Sequence, residues 1–281
     1  MKVLITGSTG MLGTALDAAL KLAGHAVVAC PIEALDICDQ AAVERALKEH
    51  RPDWLANCAA ITAVDACESE LREICEQVNA VAPGLLGQAC QAAGVRLLHL
   101  STEYVFDGSQ AAPYVEDDEP NPQSVYGRSK LKAEEALKDS GALIVRTQWL
   151  YGAGGKNFVD TMLRLFKERS ELKVVADQWG SPTWVVDLAA GLVSLMERGA
   201  SGVYHVSASG YASWHALAQA IAELSGAAVN IQPVTTAEYP LPAKRPLNGR
   251  LDKTKFEHFT GAGLPDWRDG LRRYLSTKGV K

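Results

Sequence analysis

No stretch of this chain stays apolar for the roughly 18 residues that a membrane-spanning helix needs. Met1 runs straight into Lys2-Val-Leu-Ile-Thr6 without a charged leader or a small-residue cleavage site, so the expectation is a cytoplasmic protein. Clusters of Lys and Arg are missing too. With a formal net charge of −5, their absence argues against nucleic acid or an anionic membrane surface as the main partner. The six cysteines (30, 38, 58, 67, 75 and 90) form no Cys-x-x-Cys pair and have no nearby histidine partner, and the six histidines are scattered. Neither a structural metal site nor a disulfide framework is expected, which leaves mostly buried free thiols. Internal repeats and low-complexity tracts are also lacking.

What is present is an alternation. Strand-like runs near 2–6, 26–30, 53–58, 95–100 and 142–147 alternate with helical stretches near 11–23, 40–50, 66–93 and 125–139. That order predicts an α/β fold built on a Rossmann-type doubly wound parallel sheet, with cofactor and catalytic groups at the carboxyl ends of the strands. Asn57-Cys58-Ala59-Ala60 closes one strand and Ser101-Thr102-Glu103 the next. Beyond residue 150 the pattern loosens into helices near 157–169, 182–198, 212–225 and 266–275, with a Pro-rich segment from Tyr239 to Pro246. The reading is a dinucleotide-binding domain over 1–150 and a smaller substrate-binding lobe over 151–281. Strands near 172–176 and 203–206 are candidates to rejoin the main sheet. The acidic run Glu116-Asp-Asp-Glu119 reads as a solvated loop, with a lid as the alternative.

Two motifs carry chemistry. After the first apolar run come Gly7, Gly10 and Gly13 and then an Ala/Leu-rich helical stretch. A strand, a glycine turn and a helix in that order let the backbone approach a pyrophosphate, whose charge then rests on the helix N-terminus. The second motif is Tyr126 with Lys130, four residues apart and so on one helical face. An ammonium beside a phenol stabilises the phenolate, so the pair predicts a proton donor whose pKa is drawn down toward neutrality.

With the glycine turn, Ser101-Thr102 and Tyr126-x-x-x-Lys130 in order, the sequence resembles the extended short-chain dehydrogenase/reductases, and within them the dTDP-4-dehydrorhamnose reductase family. The closer likeness is carried by Ala60-Ile-Thr-Ala-Val-Asp65 with Glu68, Ser101-Thr-Glu-Tyr-Val-Phe106, Pro120-Asn-Pro122 and Arg146-Thr-Gln-Trp149-Leu-Tyr-Gly152. Asn157-Phe158, Asp177-Gln-Trp-Gly-Ser-Pro-Thr183 and Arg245-Pro-Leu-Asn248 extend it over nearly the whole chain. The resemblance implies reduction of dTDP-4-dehydro-L-rhamnose, a 4-keto nucleotide sugar, to dTDP-L-rhamnose by NADPH or NADH. It also implies roles: Thr102 bonds the substrate carbonyl, Tyr126 donates the proton, and Lys130 tunes Tyr126 and holds the nicotinamide ribose. Gly7, Gly10, Met11, Leu12 and Gly13 match the pyrophosphate turn, Asp36 and Ile37 the adenine edge, and Ala59 and Ala60 the wall of the cofactor groove. Val64, Glu103 and Trp149 match positions facing the sugar nucleotide, and Arg245 is the candidate partner of its diphosphate. A homodimer is left open, as is a divalent ion.

Three departures from the family pattern stand out. Glu103 replaces the usual Asp after the catalytic Thr, and Gly249 replaces a common Ser. Ala29-Cys30-Pro31, at the end of the second strand, offers neither an acid for a ribose 2′-hydroxyl nor an Arg for a 2′-phosphate, so weak coenzyme discrimination is expected. The rivals are a catalytically silent relative resembling the regulatory subunit of methionine adenosyltransferase, and a nucleotide-sugar epimerase or dehydratase.

Overall fold

Runs rich in Val, Leu and Ile, apolar on both faces, become the strands of a buried parallel sheet. They are β1 (Lys2–Thr6), β2 (Ala26–Cys30), β3 (Trp54–Asn57), β4 (Arg96–Thr102) and β5 (Leu143–Thr147). The structure, a computed structural model, describes residues 1–279. Its main sheet has six strands in the order β2, β1, β3, β4, β5 and Gly202–His205, all parallel. The strand order reverses direction between β1 and β3, and that switch point opens a crevice beyond the strand ends. Register brings Thr6 beside Asn57 and Thr102 beside Thr147.

Helices α1 (Met11–Leu22), α2 (Gln40–His50), α4 (Ala82–Ala93) and α5 (Val125–Leu137) cover the two faces of this sheet, and the short α3 (Arg72–Glu76) packs on α5. Their starts are set by side chains: Asp39 caps α2 by accepting from the Ala42 N–H at 2.9 Å, and Ser124 caps α5 by accepting from the Gly127 N–H at 3.0 Å. The single helix expected over 66–93 is instead a 3₁₀ turn (Ala66–Glu68), α3, a π-helical turn (Gln77–Val81) and α4. Pro83 explains the change of register, since it has no N–H for the usual bond and occupies the first turn of α4. The π turn has a use. It presents Asn79, whose side chain accepts from the Ile61 N–H and donates to the Ile61 carbonyl, both at 2.8 Å, and so pins the loop after β3.

Past residue 150 a second core forms around Tyr151, Met162, Leu172, Ile221, Trp267 and Tyr274. Its helices are α6 (Phe158–Glu168), α8 (Trp214–Ser225) and α10 (Trp267–Thr277). Two further helices, α7 (Val185–Glu197) and α9 (Thr254–Thr260), contribute to the first core instead. Of the two later strands considered for the main sheet, Gly202–His205 joins it beside β5. Glu171–Val175 does not; it pairs with Asn230–Val234. The reason is its alternation: Leu172 and Val174 are buried while Glu171 and Lys173 are exposed, a pattern for a strand with one wet face. Residues 185–206 therefore return to the first core, and a cut at 150 divides the chain more cleanly in sequence than in space. In the acidic run, Glu116 is half-buried and its carboxylate accepts from the His205 N–H at 2.9 Å, closing the edge of the sheet.

Candidate active site

The glycine turn lies in the crevice at the switch point. Gly7 has a φ of 62°, and a Cβ there would stand 2.7 Å from the Ala59 nitrogen, while one on Gly13 would stand 2.3 Å from the Gly7 oxygen. Only glycine lets the turn close on the end of β3 in this way. Gly10 leads into α1, and no side chain caps that helix N-terminus. An uncapped N-terminus beside a bare backbone turn is a fit for a pyrophosphate. Ala59 and Ala60 are half-buried along the crevice, and Met11 is covered by the loop at Gly155, reaching over from the second lobe. Leu12 and Ile37 are core residues, so any contact with a cofactor there is through backbone; Asp36 is exposed.

On the other side of the crevice, Thr102 ends β4 and Tyr126 and Lys130 rise from α5. A Cβ on Gly127 would lie 2.3 Å from the Tyr104 carbonyl oxygen, so the glycine lets α5 start hard against the turn that follows Thr102. Glu68 accepts from the Val125 N–H at 2.8 Å and fixes the same helix start. Further along, Glu134 of α5 forms a buried ion pair with Arg146 of β5 at 2.6 Å, and the Ser101 hydroxyl donates to the same carboxylate. The helix is thereby tied to both strands whose ends carry the site.

Lys130 is 2% exposed, and burial draws its ammonium down to about 8. Its Nζ lies 3.3 Å from His99 Nε2, His99 Nδ1 lies 3.2 Å from Asn57 Nδ2, and Asn57 Oδ1 accepts from the Thr6 hydroxyl at 2.7 Å. A buried polar chain thus crosses four elements. His99 is kept neutral by burial and by the charge on Lys130. Tyr126 corrects the expectation of a phenol drawn down toward neutrality. Its pKa is pushed up, first by burial and then by the Glu103 carboxyl and the Tyr104 phenol. The physical reason is direction: the spacing puts Lys130 on the face of Tyr126, but its amine reaches back to β4.

Glu103 is 2% exposed, and its Oε2 lies within hydrogen-bond distance of the Thr102 hydroxyl at 2.8 Å. Beside it stands Trp149, with a φ of 50°, a conformation rare for so bulky a side chain. The Trp149 ring stacks on Trp214 at 3.7 Å and 9°, and a Cβ on Gly180 would collide with it at 2.6 Å. Arg245, the candidate partner of the diphosphate, is already paired within the protein. It grips Asp65 through bonds of 2.7 and 3.0 Å, which holds the Asp65 carboxyl below its ordinary value and ties the second lobe to the loop after β3. Arg245, Trp214, Phe158, Lys173, Arg169 and Tyr239 line a cavity of about 710 Å³ in the second lobe. Val64, half-buried, belongs to the same loop as Asp65.

A family model described as RmlD substrate binding domain matches residues 1–279. The chain is 42% identical to a dTDP-4-dehydrorhamnose reductase of Burkholderia thailandensis over 287 aligned residues, covering 95% of this chain and 96% of that one. The chain belongs to the dTDP-4-dehydrorhamnose reductase family. Among solved structures, a dTDP-4-dehydrorhamnose reductase of Clostridium acetobutylicum superposes with a TM-score of 0.95 at 40% identity, covering 99% of this chain and 100% of that one. One of Bacillus anthracis, in complex with NADP, gives 0.94 at 37% identity, covering 98% and 99%.

Several residues gathered around this candidate site carry no signal in the sequence. His99 looks like an ordinary strand residue until β4 is seen to aim it at Lys130. Asn79 is hidden inside a helical stretch, and Trp214 opens α8 far from Trp149. The lining of the 710 Å³ cavity comes from α6, the strand Glu171–Val175, Trp214 and the Pro-rich segment, which no local pattern links. Among the described residues no group of three or more His, Cys, Asp or Glu side chains is gathered as a metal site would need.

Proposed function

We propose that the protein reduces the 4-keto group of dTDP-4-dehydro-L-rhamnose to give dTDP-L-rhamnose, using NADPH or NADH. The observation that carries this reading is that the Tyr126 phenol lies against the Thr102 hydroxyl at the end of β4, with buried Lys130 one turn further along α5 and the Gly7–Gly13 turn at the ends of the neighbouring strands. A nicotinamide cofactor, when bound, supplies the hydride for the keto carbon. Gly7, Gly10 and Gly13 would leave room for its pyrophosphate, Ala59 and Ala60 would bound its groove, and Lys130 would bond its ribose hydroxyls.

As the carbonyl carbon is reduced, negative charge grows on its oxygen. Thr102 and Tyr126 would both donate to that oxygen, with Tyr126 giving up the proton that makes the alcohol. A raised phenol pKa suits this direction, because Tyr126 stays protonated until a more basic alkoxide forms. The nucleotide would lie in the second lobe, with aromatic Trp149 and Trp214 against rings and the cations of the large cavity facing the diphosphate. Six unpaired thiols agree with a cytoplasmic setting, and no described helix is long and apolar enough to cross a membrane.

The test is the loss of NAD(P)H absorbance with the dTDP-linked keto sugar made in situ by the preceding enzymes. One cofactor oxidised per sugar is expected. An epimerase or dehydratase would keep its nicotinamide through the cycle, and a silent regulatory relative would show no turnover, so either outcome overturns the reading.

A further inference from the structure

Hydrogen-bond valence at Thr102 leads beyond the reductase reading. A threonine hydroxyl has one hydrogen to give and two lone pairs to fill. The Tyr104 N–H already donates to Thr102 Oγ1 at 3.2 Å. Glu103 Oε2 stands 2.8 Å away, and if that carboxyl is ionised it is an acceptor only, so the contact consumes the one hydrogen of Thr102. Nothing is then left to donate to a substrate oxygen. If Glu103 is the acid, it donates the same contact, fills the second lone pair, and frees the threonine hydrogen.

We propose that Glu103 is a positioning residue which works as a neutral carboxylic acid, donating to Thr102 Oγ1 so that the Thr102 hydroxyl can donate to the keto oxygen being reduced. The site is built for an uncharged carboxyl. Glu103 is 2% exposed, and none of the ion pairs among the described residues includes it. The groups that face it are the Thr102 hydroxyl, the Trp149 indole, and the phenols of Tyr104 and Tyr126. Arg245 and Asp65, paired with each other, stand against Tyr104, and Lys130 is turned to His99. Burial raises the Glu103 carboxyl to about 7 against the pull of Thr102 and Trp149. Room for the longer side chain comes from Gly249, where a Cβ would lie 3.0 Å from Glu103 Cγ and 3.2 Å from the Trp179 oxygen. The two departures from the family pattern at 103 and 249 are therefore one local arrangement.

The sign follows from the raised value: the acid form holds below about 7 and is lost above it. With the 4-keto nucleotide sugar and NADPH, kcat/KM of the wild type should fall about tenfold between pH 6 and pH 8 as the donor is lost. Glu103→Gln keeps a donor that cannot ionise. Its plateau should drop several-fold but stay level across that window; Glu103→Ala, with neither donor nor acceptor, should be level too but lower, because the Thr102 hydroxyl is left unpositioned. An infrared titration of the cofactor-free protein, taken as wild type minus Glu103→Gln, should show a protonated carboxyl at pH 6 that vanishes near pH 8. The proposal is overturned if Glu103→Gln keeps the wild-type slope, if it falls as far as Glu103→Ala, or if no protonated carboxyl appears at pH 6. It rests on the reductase reading, whose own failure looks different: no NAD(P)H oxidation at any pH, with the infrared titration still reporting on Glu103.

Discussion

At the rim of the main sheet, Thr6 meets Asn57 and Thr102 meets Thr147 because neighbouring parallel strands end in register. Where the second lobe meets the first, Trp149 meets Trp214 and Arg245 meets Asp65 although nothing near either residue in the chain calls for its partner. The rim obeys short-range rules: apolar runs of strand length, a glycine turn, a helix cap. The lobe is held by pairs that only the finished packing creates. On the proposed function, the chemistry would fall where positions are fixed by the backbone, and substrate choice where they are fixed by side chains. That contrast makes the expected losses unequal, with chemistry most sensitive at the rim and KM most sensitive in the lobe.

The largest effect is expected from Tyr126→Phe. Removing the proton donor should lower kcat by on the order of 10²-fold or more. Cofactor affinity by calorimetry should be unchanged, since the ring and its edge-on contact with Tyr104 at 5.5 Å remain. Near-normal turnover would mean that the rim does not carry the chemistry.

Next comes Gly7→Ala, which tests the opposite wall of the crevice. A Cβ at 2.7 Å from the Ala59 nitrogen, on a backbone at φ 62°, must push the turn away from β3. Nicotinamide affinity should fall on the order of thirtyfold, a little over 2 kcal/mol. Gly24→Ala is the control, because Gly24 has a φ of 80° but nothing within 4 Å of the added carbon. It should cost stability by the same backbone strain and leave cofactor affinity intact. Equal affinity loss in both variants would show that strain, rather than close approach, explains Gly7.

What could be read in advance follows the same division. The first five strands and the glycine turn are where the apolar runs and the glycines put them, since each is decided within a few residues. The helical stretch 66–93 misled because Pro83 changes a hydrogen-bond register that hydrophobic spacing does not report. Glu171–Val175 misled because its apolar content suggests a main-sheet strand, while its alternation of Leu172 and Val174 with exposed Glu171 and Lys173 marks a strand with one wet face, which pairs with Asn230–Val234 instead. Within the site, the Tyr126 and Lys130 spacing gave a shared helical face and not the direction of the amine. Glu103 and Gly249 were each visible as departures, and only the fold brings them into contact.

A third, smaller effect is expected from Arg245→Ala in the lobe. If the guanidinium faces the diphosphate while Asp65 orients it, KM should rise about tenfold with kcat nearly constant. Asp65→Asn, which leaves the cation in place, should raise KM less. Should Arg245 act only as a latch between lobe and loop, the two single variants and the double variant would give the same KM, since each breaks the same bond. Free 4-keto sugar without the nucleotide diphosphate should be a poor substrate for wild type and indifferent to Arg245→Ala.

The smallest effect concerns the end of β2, a part of the rim where the backbone rule is obeyed but the deciding side chain is missing. Cys30 is buried and Ala29 uncharged, and Pro31 has no N–H to offer, so nothing in this segment either repels or pairs with a 2′-phosphate. Asp36, the next acid of the resemblance, is exposed and already accepts from the Cys38 N–H at 2.9 Å. With no committed partner for either ribose, kcat/KM for NADPH and NADH should lie within about tenfold of each other, or about 1.4 kcal/mol. Introducing a charge should then move the ratio in a predictable direction: Ala29→Asp toward NADH and Ala29→Arg toward NADPH. If wild type instead prefers one coenzyme by more than a hundredfold, discrimination must come from groups brought in by other segments. The rim would then behave, at that one point, like the second lobe.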